Sequence, residues 1–448
     1  MEIEENIREA LQTRVTVFKN SPRPVNKLPP EILSRVLENR NAERDLIAAT
    51  HVCRYWRSSL LSNPTLWTCL RFLYDIDRTS AYLERSKSVP IDIDINLRFK
   101  ERSGLFELVA PHARRTRSLT IRGTVIPIQA LFSRVFYSPA SPLQHLKIEV
   151  FLGDGDEQTN ASCLPDNFLC QHAPTLRSVN FTDLLPTFES HFPFSNLTRF
   201  VLFLPWFGDA FRVSALFRVL SNSPRLREVS IHVFTTLIED TPNSVVSLEL
   251  LEELEYHGDS GPRVLAWMRL PRLRMLNVVS AAGALANLLP VEGHLLLSKT
   301  TRMVWGQASR GIDLRGSEIT IQVSSLCEGI DPTDWFSDIP PTSFGQIRDL
   351  AYSGFLNPGP PDTAELPITT FENLEVLQFS RCAVWLLEAV SRALFPQDGR
   401  GIPCLSLREI RCDSREALES LTWFVEGRRR VGNWLQLVHS SDAETPHG

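Results

Sequence analysis

Ser223-Pro224-Arg225-Leu226-Arg227-Glu228-Val229-Ser230-Ile231 is the stretch that decides how most of this 448-residue chain reads. Its apolar residues follow the spacing L-x-x-L-x-L behind a proline and a basic residue. The second half alternates apolar and polar side chains, as a half-buried strand does. Close copies are Ala173-Pro174-Thr175-Leu176-Arg177, continued by Val179 and Phe181, and Leu270-Pro271-Arg272-Leu273-Arg274, continued by Leu276 and Val278. Looser copies are Leu143/Leu146/Ile148, Leu197/Phe200/Leu202, Leu251/Leu254/Tyr256, Ile347/Leu350/Tyr352, Leu374/Leu377/Phe379 and Leu407/Ile410/Cys412. Ser118-Leu119-Thr120-Ile121 is a partial copy, and Ile91, Ile93 and Ile95 alternate with Asp92, Asp94 and Asn96 in a strand of their own.

The copies begin 21 to 33 residues apart wherever they run on without a gap. Leucine-rich repeats have a period of about 20–29 residues, so most intervals fit. Helix-like runs, Asp209 to Leu220 and Val384 to Leu394, lie between copies. A strand-plus-helix unit of this size leaves a bare apolar face that only its neighbours can cover, which is the logic of a solenoid. The expected fold class is therefore α/β: a leucine-rich-repeat-like solenoid, horseshoe in form, over residues 71–435, behind a short N-terminal helical module. Residues 280–340 fit least well, offering one credible strand at Glu318–Val323. Residues 331–345 and the proline-rich 357–367 read as exposed loops, and 436–448 as a flexible tail.

In such a strand the leucines face inward and the intervening residues outward, because side chains alternate with period two. The residue before the last apolar position then falls in one row across the repeats. That row is Lys147, Asn180, Val201, Ser230, Glu255, Asn277, Ala351, Gln378 and Arg411. It mixes both charge signs with polar and apolar groups, as a protein-binding surface does and a nucleic-acid or membrane stripe does not. Its polar members, Lys147, Asn180, Ser230, Glu255, Asn277, Gln378 and Arg411, are the expected contacts to a protein substrate.

Upstream, Ile3, Ile7, Leu11 and Val15 mark a one-sided helix, broken by Pro22 and Pro24, so residues 1–24 read as helix and linker. Leu28-Pro29-Pro30-Glu31 then opens a helix with apolar Ile32, Leu33, Val36 and Leu37. Asp45 is placed to cap a second helix carrying Leu46, Ala49, Val52, Cys53 and Trp56 on one face, and Asn63-Pro64 ends the helical part. Three short helices in about 40 residues bury too little surface to stand alone.

The order Leu28-Pro29-x-Glu31-Ile32-Leu33, Asp45-Leu46, Val52-Cys53-Arg54-x-Trp56-Arg57 and Leu66-Trp67 resembles an F-box, over residues 25–70. The wording that follows, Leu83-Glu84-Arg85-Ser86 and Val89-Pro90-Ile91-Asp92-Ile93, is similar to the expanded F-box family of mushroom-forming fungi. Arg40 departs from the pattern, standing where a hydrophobic residue is usual. The resemblance implies a substrate-recognition adaptor that binds a Skp-family adaptor, and through it a cullin–RING ligase, using Leu28, Pro29, Ile32, Leu33, Val52 and Trp56. It implies no enzymatic step on this chain. An F-box protein acting outside the ligase as a scaffold is the alternative, and a hydrolase or nucleotide-dependent enzyme a more distant one.

Composition narrows the other classes. Lys plus Arg number 47 against 52 Asp plus Glu, a net charge of -5, so no basic excess points to nucleic acid. The N-terminus lacks a secretory apolar core, and the longest uncharged stretch, Met275 to Val291, holds two asparagines and Pro290, which argues against a membrane span. The eight cysteines form no C-x-x-C pair, so neither a disulfide scaffold nor a structural zinc site is expected, and the thiols suit the cytoplasm or nucleus. No cofactor or metal is expected. Gly293-His294-Leu295-Leu296-Leu297-Ser298-Lys299-Thr300 imitates a phosphate loop, but Ser298 stands where the glycine before the lysine is needed. Gly258-Asp259-Ser260-Gly261-Pro262 imitates a serine nucleophile loop without its partners, and Gly153-Asp154-Gly155-Asp156-Glu157 lacks calcium-loop spacing. Arg114, Arg115 and Arg117 read as solvated charges at a repeat edge, and Arg428-Arg429-Arg430 is too short for a polybasic patch.

Overall fold

In the computed structural model, the described residues are 27–37, 43–71, 75–97, 103–136, 142–151, 174–184, 194–204, 211–234, 244–258, 262–280, 293–306, 311–325, 341–354, 371–395 and 403–439, with a few isolated positions besides. Most of the helix expected over 3–18, together with Arg40, Ser260, the acidic turn at 153–157 and the loop at 357–367, lies outside them. The chain divides into two compact units, Met1–Val179 and Asn180–Gly448. The boundary falls inside the span that the repeats mark as one domain.

The first unit begins with α1 (Pro30–Leu37), α2 (Glu43–Thr50) and α3 (Arg54–Ser62). Asn63 caps a single 3-10 turn, Pro64–Trp67, by accepting a hydrogen bond from the Thr65 amide. The chain then alternates strand and helix: β1 (Cys69–Leu70), α4 (Ile76–Arg85), β2 (Ile91–Asn96), α5 (Ser103–Val109), β3 (Thr116–Gly123), α6 (Val125–Arg134) and β4 (His145–Val150). The strands β1 to β4 are parallel neighbours in sequence order. Their inward residues align, Ile93 with Leu119 and Leu119 with Leu146, and all are buried. Arg115 does not point into water: it donates to the Val89 and Leu83 carbonyls and to Ser86 Oγ, tying β3 to the end of α4. Arg117 likewise makes a two-pronged ion pair with Asp92, at 2.7 Å for the closer arm. Partnered guanidinium forks stand at Arg115 and Arg117 where solvated charges were expected, while Arg114 is exposed.

At the division lies β5 (Ser178–Thr182). The second unit carries β6 (Arg199–Leu204), α7 (Val213–Ser221), β7 (Glu228–Val233), β8 (Glu253–Gly258), β9 (Met275–Ser280), β10 (Arg302–Gly306), β11 (Gly311–Arg315), β12 (Thr320–Ser325), β13 (Asp349–Ser353), β14 (Val376–Ser380), α8 (Val384–Ala393), β15 (Glu409–Cys412), α9 (Arg415–Arg430) and β16 (Gln436–His439). Strands β6 to β9 pair in parallel in sequence order, as do β13 to β16. The last strand, Gln436–His439, therefore belongs to the sheet and not to the tail.

Between the two parallel runs the order changes. β12 pairs with β9, β11 with β12, and β10 with both β11 and β13. The pairs β10–β11 and β11–β12 are antiparallel, so residues 302–325 supply three strands where one was expected. The lead-in leucine of the phrase is missing at β10 and β11, which leaves only short alternations such as Ile312/Leu314 to mark them. The phosphate-loop lookalike is a helical turn, Gly293–Leu297, with Leu296 and Leu297 buried.

Each leucine phrase fills the core. Leu226, Val229, Ile231, Leu251, Leu254, Tyr256, Leu374, Leu377 and Phe379 are all at most 2% exposed. Cys404 and Cys412 sit in the same core, and burial pushes their thiols up to about 11 and about 12. A buried neutral thiol is a poor nucleophile. Treated with iodoacetamide in the native state at mildly alkaline pH, the chain should label at half-buried Cys53 and Cys69 while Cys404 and Cys412 stay free. Equal labelling of all four by peptide mapping would contradict this core.

Candidate functional site

The three N-terminal helices bury one side of each helix and leave the other bare. In α1, Pro30 opens the helix where its missing N–H costs nothing, and Glu31 stands in the first turn near the positive end of the helix dipole. Leu33 and Ser34 face the interior, whereas Ile32 and Val36 are 41% and 66% exposed. Leu46 and Ala49 of α2 and Leu60 of α3 complete the small core. The expected second helix is broken at His51–Cys53, so Val52 lies in a turn and is 59% exposed. Asp45 sits inside α2, two residues after its start, and is not the cap. Tyr55 is exposed along its ring, and its hydroxyl donates to the Leu28 carbonyl at 2.6 Å, holding the segment's entry against α3.

Of the six residues expected to meet an adaptor, Pro29, Ile32 and Val52 are exposed and Leu28 and Trp56 are half-buried. Leu33, 2% exposed, is a core residue and cannot be a contact in this conformation. Ile32 and Val36, four residues apart, form the outer stripe of α1, and Leu33 belongs to the inner one. Val36 and Tyr55 are the exposed apolar groups that the expected contact set lacks.

The row of outward strand residues is real as a register. In the second unit Val201, Ser230, Glu255 and Asn277 are successive partners on β6 to β9, and Ala351, Gln378 and Arg411 are successive partners on β13 to β15. Gln322, Asp313 and Val304 fill the positions between Asn277 and Ala351, which the sequence reading missed with their strands. In the first unit Lys147 aligns with Thr120. Asn180 on β5 is half-buried, and its Oδ1 has no hydrogen-bond partner among the described residues. Ala351 is buried, so the row is not uniformly open.

Its charges are already engaged. Lys147 Nζ lies 2.6 Å from Glu149, which Arg122 also holds, and Arg411 Nε donates to Glu409 at 2.7 Å. Burial works against the Glu149 charge, but Lys147 and Arg122 outweigh it and keep its carboxyl below the ordinary range. Gln378 donates to Ser380 Oγ.

The densest polar group of the row centres on Glu255. Ser230 Oγ donates to Glu255 Oε2 at 2.8 Å and lies 2.9 Å from His232 Nε2. His232 Nε2 is 3.4 Å from Glu255 Oε2, and His257 Nε2 is 3.2 Å from Glu255 Oε1. The second contact is off the hydrogen-bond line, which leaves His257 Nε2 buried without a hydrogen bond among the described residues. The two imidazole rings lie 4.1 Å apart between centroids. Burial opposes ionisation of Glu255, yet Ser230, His232 and His257 together lower its pKa. Burial, then His232, lower the pKa of His257. A search for cysteine pairs passes over these residues. The readable signal was an ionisable pair at matching positions of adjacent repeats, Ser230-Ile231-His232 and Glu255-Tyr256-His257.

The N-terminal helices match a known family, described as F-box-like, over residues 25–73. Residues 25–73 form an F-box-like domain. No curated protein matches the chain. F-box-like domains belong in general to adaptors of Skp–cullin–F-box ligases and typically bind Skp-family adaptors. The domain ends in the first unit's sheet, because Trp67, fully buried, packs edge-on against Tyr82 of α4 and beneath the Arg85 guanidinium. The company that so small a helical module needs is supplied by the chain that follows it. Among the described residues no helix is long and apolar enough to cross a membrane.

Proposed function

We propose that this chain is a substrate-recognition subunit of a Skp–cullin–F-box type ubiquitin ligase. Its F-box-like domain binds the Skp-family adaptor, and its strand-rich remainder stacks as a leucine-rich-repeat-like solenoid that holds a protein substrate through the outward row. The observation that carries the reading is the exposed apolar side chains of that domain, Ile32, Val36, Val52 and Tyr55, which no element among the described residues covers. Such a face is what a partner's apolar groove desolvates. Work by this chain is proximity alone: two binding surfaces on one polypeptide raise the substrate's concentration beside the ligase, and no catalytic side chain is required. The matching compartments are the cytoplasm and the nucleus.

Co-expression of the full chain with a Skp-family adaptor tests the first half. Val36→Glu with Val52→Glu places two carboxylates in the apolar contact and should lower adaptor retention by at least about 30-fold, the equivalent of one hot-spot residue of about 2 kcal/mol. Retention equal to the wild type sinks the reading. Proximity labelling in the native host tests the second half. Lys147→Glu with Arg411→Glu should erase substrate labelling while adaptor labelling persists, and labelling that survives both reversals moves the substrate off the row.

A further inference from the structure

We propose that His232, Glu255 and His257 form a binding site for a divalent transition-metal ion of the zinc type, on the outward face of β7 and β8. The inference stands apart from the ligase reading, since it needs no partner of the F-box-like domain. Its basis is placement. His232 and His257 are register partners on parallel neighbours, and Glu255 stands two residues before His257 on the same side of its strand. The three side chains offer ligand atoms that all lie within 4.8 Å of one another.

Spacing and donor chemistry agree with such an ion. Zinc takes imidazole nitrogen and carboxylate oxygen at about 2.0–2.1 Å, so two ligands at a tetrahedral angle sit roughly 3.3 Å apart. The His232–Glu255 and His257–Glu255 contacts, 3.4 Å and 3.2 Å, already have that edge length. Only the two imidazoles must draw together, a small rotation for side chains that are 18% and 22% exposed. Two imidazoles with one carboxylate leave the fourth position open, as in zinc sites that keep a water or an outside donor.

The surroundings resemble a metal's supporting shell. Ser230 Oγ donates to one Glu255 oxygen, and Asn277 Nδ2 approaches the other at 3.5 Å, so the carboxylate is oriented from both sides. Phe203, whose ring lies 5.4 Å from that of His232, and Val279, the register partner of His257, border the cluster with apolar surface. Orienting hydrogen bonds and a dry border are what raise ligand basicity and limit competing water. His257 Nε2 is buried, without a hydrogen bond among the described residues, and stands 3.2 Å from Glu255 Oε1 on the side that the three ligand atoms share.

The test uses the full chain, stripped of metal, with Zn2+ followed by calorimetry and Co2+ by its visible spectrum. The expected result is one saturable equivalent whose Co2+ spectrum lacks the charge-transfer band of thiolate ligation, which separates this site from cysteine sites elsewhere on the chain. His232→Ala and His257→Ala should each lower affinity by at least about 10-fold, and the double variant should abolish binding. Glu255→Gln, which keeps the side chain's shape, should weaken binding without altering the circular dichroism, so a folding defect is distinguishable from a lost ligand. Wild-type protein that takes up no Zn2+, a thiolate band, or unchanged affinity in the double variant overturns the proposal.

Discussion

Replacing Trp67 by alanine should destabilise the first unit by about 3–5 kcal/mol, the usual cost of emptying a buried tryptophan site. Three interactions end on this one side chain. Its Nε1 donates to the Leu60 carbonyl at 3.0 Å, its ring meets Tyr82 edge-on at 4.8 Å, and the Arg85 guanidinium lies 4.5 Å above it. The first joins it to α3 and the others to α4, so Trp67 is the rivet between the F-box-like helices and the sheet unit. Trp67→Phe keeps a ring in the site but removes one of the two hydrogen bonds that the Leu60 carbonyl accepts, the other coming from the Asn63 amide, and should cost about 1 kcal/mol. Urea unfolding followed by circular dichroism reads both, and adaptor retention should fall with the alanine variant. A shift below about 1 kcal/mol for Trp67→Ala would mean that the helices do not depend on α4 for support.

Arg428→Ala should destabilise the second unit by about 3–5 kcal/mol, because it strands buried acceptors as well as emptying space. Arg428 is fully buried in α9, and no carboxylate meets it among the hydrogen bonds of the described residues. Its guanidinium instead donates to the carbonyls of Leu394, Pro403 and Cys404 at 2.9–3.1 Å, with the Phe424 ring 5.8 Å away. Burial lowers its pKa, yet an arginine keeps its charge under all ordinary conditions. The fork gathers the end of α8 and the approach to β15 onto α9. Arg428→Lys offers a single ammonium and cannot span the same three acceptors, so it should recover less than half of the loss. If Arg428→Ala unfolds at the wild-type urea midpoint, the clamp is not structural.

Both residues show what sequence patterning conveys and what it omits. The leucine phrase found nine strands and aligned their outward residues, because period-two alternation and a recurring lead-in are local properties of the chain. It missed β10 and β11, whose five-residue alternations have no lead-in and are specified by the neighbours they join. Within the F-box-like domain the four sequence pieces were enough to recognise the module. Leu33 was nonetheless assigned outward and Val36 left out, because adjacent helical positions differ only by which side meets the core. Arg115 and Arg117 read as solvated charge for a similar reason, and Arg428 read only as part of a basic run too short to matter. Carbonyls and carboxylates that receive them lie 24 to 34 residues away, and no local pattern announces a distant acceptor. The His232, Glu255 and His257 cluster was legible only to a comparison made repeat against repeat.

The three-stranded insert also changes how far along the chain each strand must reach for its neighbour. From β6 to β9 each strand pairs with the one made just before it, as Met275 does beside Glu253. After β9 this stops: Met275 of β9 pairs with Thr320, 45 residues onward, and β13 connects back to β9 only through β10, β11 and β12. Joining the run β13 to β16 to the run β6 to β9 passes through this insert, so the loop-closure cost of connecting the two parallel runs falls on one stretch of chain.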